Sequence, residues 1–149
     1  MIDLRKIKEE FWQRHSNPWS GLTRMFIAPF LYLAIWYHSW IGLGLVILWT
    51  IVNPFIFPKP KKTENWFTYV VLGEEMWLEN FAKKPKLDLA LTLNIITAAS
   101  FIPSIYFAYV NMFWPTLYFG TLMYISKLWY VDRVALEYKY EKLVNARAS

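Results

Sequence analysis

Two stretches of the chain contain no Asp, Glu, Lys or Arg: Met25 to Pro58, 34 residues, and Leu89 to Ser126, 38 residues. Nothing else in the sequence limits the possible folds so strongly. A helix crossing the hydrocarbon of a bilayer needs roughly 20 apolar residues for about 30 Å. A straight helix of 34 residues would run to about 51 Å, far beyond one crossing. Each stretch therefore reads as two short spans joined by a tight turn. In the first, Tyr37-His38-Ser39-Trp40 is followed by Gly42 and Gly44. In the second, Asn111 precedes Trp114-Pro115. The expected fold is all-α: a polytopic membrane protein whose four transmembrane helices form two hairpins, at roughly 20–37, 40–57, 88–109 and 113–131. Two long kinked helices or re-entrant loops are the competing topology.

Charge sets the expected orientation. All 16 Lys and Arg fall in residues 1–24, 59–86 and 127–149, and the two turns carry none. The positive-inside rule makes those three segments cytoplasmic, with both termini inside the cell membrane. Aromatic residues are 20% of the chain, and they gather where the spans would meet water. Trp36, Tyr37, Trp40, Tyr109 and Trp114 mark the outer interface, and Trp19, Phe57, Trp129 and Tyr130 the inner one, as an aromatic belt requires. The first 24 residues are charged and lack the apolar core of a cleaved secretion signal. The net charge of +5 is placed to meet anionic lipid at the inner leaflet rather than nucleic acid. There is no cysteine, which excludes disulfides and thiolate chemistry.

The charged segments read as amphipathic helices. Thr63 is the expected N-cap of an interfacial helix over 63–82. At about 100° per residue, Trp66, Phe67, Val70, Trp77, Leu78 and Phe81 share one stripe, with Glu74 in its middle. In the N-terminal segment Leu4, Ile7, Phe11 and Trp12 line a face that also carries His15. In the C-terminal segment Arg133 lies among Trp129, Leu136, Tyr140 and Leu143, with Asp132 at the edge. Arg24 stands at the foot of the first span. Buried charges are normally paired. One reading is an ion-pair clasp, Glu74 with Arg133 or Arg24, pinning the interfacial helix to the bundle. The other is a site for an anionic headgroup, in which Arg24 and Arg133 hold a phosphate and Glu74 orients one of them. No metal or other cofactor is expected, because His15 and His38 lie on opposite sides of the membrane and clustered ligands are lacking.

Four motifs resemble a known family. His15-Ser-Asn-Pro-Trp-Ser-Gly-Leu-Thr-Arg24, Asn53-Pro-Phe-Ile-Phe-Pro-Lys-Pro60, Leu72-Gly-Glu74 with Trp77, and Lys127-Leu-Trp-Tyr-Val-Asp-Arg133 look like the signatures of an uncharacterised family of small prokaryotic integral membrane proteins. Leu22 departs from the family pattern, which has Trp there, and the tail Ala135–Tyr138 is less aromatic. The resemblance implies an integral membrane protein without an established activity. It points to His15, Asn17, Arg24, Asn53, Glu74, Asp132 and Arg133. The leading expectation is a non-enzymatic component: an accessory subunit of other membrane proteins, a homo-oligomer, or a lipid-headgroup binder. The alternative is a membrane enzyme using His15 as acid or base with Glu74. A transporter is disfavoured, because the spans carry no ionisable residue.

Overall fold

The computed structural model describes residues 4–60 and 64–148, with side chains from residue 10 to 147. The expected cap Thr63 and the side chains of Leu4 and Ile7 lie outside the described residues. Among those described the fold is all-α, with seven helices: α1 (Leu4–His15), α2 (Pro18–Met25), α3 (Ile27–Trp36), α4 (Trp40–Ile56), α5 (Trp66–Lys83), α6 (Leu89–Tyr109) and α7 (Phe113–Ala148).

The first expected span is two helices. The chain breaks at Phe26, between α2 and α3. Pro29 has no N–H to offer the Met25 carbonyl four residues back. The Tyr124 hydroxyl donates to that carbonyl instead, at 3.2 Å. Asn17 caps α2 by accepting from the Trp19 N–H, and its amide donates to the Pro58 carbonyl at 2.8 Å. Fully buried Asn53, on α4, accepts from the Ser20 hydroxyl at 2.6 Å and donates to the Thr23 hydroxyl at 2.8 Å. These bonds fasten α2 across the foot of α4.

α3 and α4 form one hairpin, and α6 and α7 the other. Both end in the same turn geometry. His38 and Asn111 take positive φ, 51° and 55°. The next residue in each case donates back to the helix, Ser39 to the Ala34 carbonyl and Met112 to that of Phe107. This is the Schellman arrangement, which satisfies carbonyls that the helix end leaves free. The two turns lie side by side. The Asn111 amide donates to the Trp36 carbonyl at 2.8 Å, and the His38 and Tyr109 rings meet at 4.9 Å. In mid-bundle the Tyr32 and Ser104 hydroxyls bond at 2.7 Å, joining α3 to α6. The small residues Ser100, Ser104 and Ala108 give α6 a buried face, as close helix packing favours.

α6, 21 residues long, is the one described helix both long and apolar enough to cross a bilayer; α4 is apolar but has 17 residues. α7 runs unbroken for 36 residues, so the expected fourth span and the C-terminal amphipathic helix are one rod. Asn65 caps α5, accepting from the Thr68 N–H at 3.0 Å.

The best-buried core lies away from the turns, where α5 packs on the first turns of α6 and the middle of α7. Val70, Trp77, Ala90, Leu93, Tyr130, Val131, Val134 and Ala135 form it. Gly73 makes the crossing possible. A Cβ there would stand 2.3 Å from the Val134 carbonyl oxygen. The Trp77 indole donates to Asp88, whose other oxygen caps α6.

Candidate functional site

The polar groups singled out by periodicity and by the family resemblance, with the neighbours they meet, divide into three sets. The first surrounds a cavity of about 680 Å³ between the two hairpins, floored by α5. Arg24, Glu74 and Lys127 all line it, and the remaining lining is mainly apolar. α2 presents Arg24, α5 presents Glu74, and α7 presents Lys127.

Arg24 is held from its own N-terminal side. Its Nε donates to the Ser20 carbonyl and its Nη2 to the His15 carbonyl, both at 3.2 Å. Its Nη1 contacts His15 Nε2. His15 stacks on Phe11, ring centroids 5.3 Å apart, with Trp12 at its edge. Burial, and secondarily the Arg24 charge, push the imidazole from 6.5 down to about 4. His15 is therefore neutral near pH 7 and accepts from Arg24 at Nε2. Nδ1 then carries the proton, and it is buried without a hydrogen-bond partner among the described residues.

Glu74 pairs with Lys127, Oε1 to Nζ at 2.7 Å, and its side chain is only 19% exposed. The Lys127 ammonium also sits 4.5 Å from the centre of the Tyr130 ring, a favourable cation–π placement. The acid in the middle of the α5 stripe thus does fasten α5 to the bundle. Its salt-bridge partner is Lys127, where Arg133 or Arg24 was expected. Arg24 feels the Glu74 charge through space, but their side chains are not an ion pair.

The second set is structural. Asn17 and Asn53 hold α2 as described above. Asp132 accepts from the Trp66 indole N–H at 2.8 Å and fixes the start of α5. The third set is Arg133 alone. It is exposed, bonded to Glu137 one turn on at 3.1 Å. The stripe on which it lies, with Trp129, Leu136, Tyr140 and Leu143, faces outward. The buried stripe of α7 runs instead through Val131, Val134 and Ala135. Helical periodicity picks out the outward face, whereas packing against α5 buries the face that carries Tyr130, Val131, Val134 and Ala135.

Lys127 escaped the sequence reading, although a signal exists. It is the first charge after the second charge-free stretch, as Arg24 is the last before the first stretch. Among the described residues no three His, Asp or Glu side chains converge as a metal centre requires.

Over residues 1–148 the sequence matches a family of unknown function. The chain belongs to DUF6653. The resemblance in the four motifs had pointed to an uncharacterised family, and DUF6653 spans nearly every residue, so the interhelical site belongs to the family's own domain and not to an appended one. No curated protein and no solved structure matches the chain.

Proposed function

We propose that this DUF6653 member is a multi-pass protein of the cell membrane, with both termini in the cytoplasm, that holds an anionic lipid headgroup at the inner leaflet. The observation carrying this reading is the convergence of Arg24 and Lys127 on one apolar cavity, with Glu74 orienting Lys127. Two cations beside apolar walls match the two halves of a lipid: charge-assisted bonds for the headgroup and hydrocarbon for the chain.

The membrane half of the reading has its own support. Only 22% of the apolar stretch of α6 is buried inside the molecule. The core helix of a water-soluble protein would be covered far more. Large apolar side chains face outward along both hairpins, with Ile41 81% and Ile102 73% exposed. Apolar surface on this scale needs a membrane or a partner to cover it. Both turns share one end and carry none of the 16 cations, which fits both turns outside and the termini inside. A role as an accessory subunit is compatible with the same surface.

Two measurements test this. A cysteine at Tyr37 should react with an impermeant thiol reagent added to intact cells, and one at Lys142 only after lysis. The reverse pattern would overturn the orientation. Purified protein should retain phosphatidylglycerol over phosphatidylcholine in native mass spectrometry, and Lys127→Met should lower that preference severalfold. Equal retention of both lipids would remove the headgroup site.

A further inference from the structure

The apolar part of the cavity has a shape and a charge balance that narrow the ligand, given the headgroup reading above. We infer that the cleft between the hairpins holds the tail of a single-chain carboxylate amphiphile, a long-chain fatty acid, with its carboxylate on Arg24.

Depth is the first support. Asn53 bonds to Ser20 and Thr23, so it marks the level of α2 on α4. On α4 the cleft is lined from Ile51, just inside that level, to Leu43. From the level of Asn53 to Leu43, ten residues of helix rise about 15 Å, half of the roughly 30 Å hydrocarbon thickness. The cleft is thus as deep as one leaflet, the depth an acyl chain entering from the inner side would occupy. Access is lateral. The hairpins touch chiefly through α3 and α6, which leaves α4 and α7 apart on the cleft's open side.

Charge is the second support. Glu74 neutralises Lys127, and His15 is uncharged near pH 7, so the described groups leave one net positive charge, that of Arg24. One unit suits a carboxylate or another singly charged group; a phosphate monoester, carrying close to two, is disfavoured. Donor geometry agrees. A guanidinium has five N–H donors. The contacts with Ser20 and His15 engage three of them, one each at Nε, Nη1 and Nη2. One hydrogen on each terminal nitrogen remains to donate a charge-assisted bond to a carboxylate.

The experiment offers the detergent-purified full chain an equimolar mixture of oleate, oleyl alcohol and dioleoyl phosphatidylglycerol, and reads the bound masses by native mass spectrometry. One oleate per chain is expected, with oleyl alcohol not retained. Ile47→Trp and Ala28→Phe, which fill the cleft, should each reduce oleate occupancy at least tenfold without lowering the melting temperature measured in the absence of lipid. Arg24→Gln should do the same to affinity. Arg24 also braces His15, so if that variant fails to fold, the cleft-filling pair decides. Equal retention of oleate and its alcohol, or folded cleft-filling variants with undiminished oleate, overturns the inference. Retention of phosphatidylglycerol with exclusion of oleate overturns it as well, while leaving the headgroup reading standing. Retention of no anionic lipid overturns both.

Discussion

At the scale of single residues, two glycines make opposite predictions. A methyl at Gly73 would meet the Val134 backbone, which cannot move without separating α5 from α7. Gly73→Ala should cost at least about 2 kcal/mol, as overpacking at a tight crossing does, and lower the thermal midpoint by circular dichroism. Nothing lies within 4 Å of a Cβ at Gly44, so Gly44→Ala should be neutral or stabilising by up to about 1 kcal/mol. His15 gives a pH signature. Its pKa is lowered on folding, from 6.5 to about 4. The unfolded chain therefore binds the extra proton more readily between those values. The contribution of neutral His15 is complete above pH 6.5, declines as the pH falls, and is gone below about 4. The midpoint of the wild type should drop over that window more steeply than that of His15→Asn; parallel curves would refute the assignment. Glu74 was legible in the sequence because a helical wheel fixes which face a side chain shares. Its partner was not, because a wheel says nothing of where two helices cross. The crossing is set by Gly73, and it brings Lys127 within reach while Arg133 turns away.

At the scale of elements, charge-free length gave the hairpins and their turns, and α4 and α6 begin and end within a residue of expectation. The break at Phe26 was not legible. Pro29 signals a missing backbone bond, but a kink and a full break look alike until Tyr124 takes the freed carbonyl. The C-terminal segment is expected to continue from the fourth span, and α7 is one helix through Lys127, since charged residues are good helix formers. The turns carry the clearest element-scale test. Asn111 holds a left-handed conformation and bonds across to the other turn. Asn111→Ala should lower stability by about 1–2 kcal/mol through strain and the lost bond. Asn111→Gly should recover the conformational part alone, and equal melting of the two variants would mean that the turn is not strained.

At the scale of the whole molecule, the hairpins and the α5–α7 core meet in the Glu74–Lys127 pair. Glu74→Gln and Lys127→Gln should show coupling in a double-mutant cycle, since they share one interaction. Arg133→Gln should be additive with both and nearly silent, because an exposed pair one helical turn apart contributes about 0.3–0.5 kcal/mol. Coupling of Glu74 to Arg133 would contradict the crossing described here. The separation of this core in sequence also has a consequence for how the protein is made. α5 leaves the ribosome about fifty residues before Val134 and Ala135, the surface on which it finally rests. At roughly 5–20 residues per second that interval lasts about 3–10 s. During it Trp77 lacks the Tyr130 ring and Trp66 the Asp132 carboxylate. In the membrane setting proposed above, the bilayer surface is their shelter, and assembly is a transfer of α5 from lipid to protein, completed only when the last helix arrives.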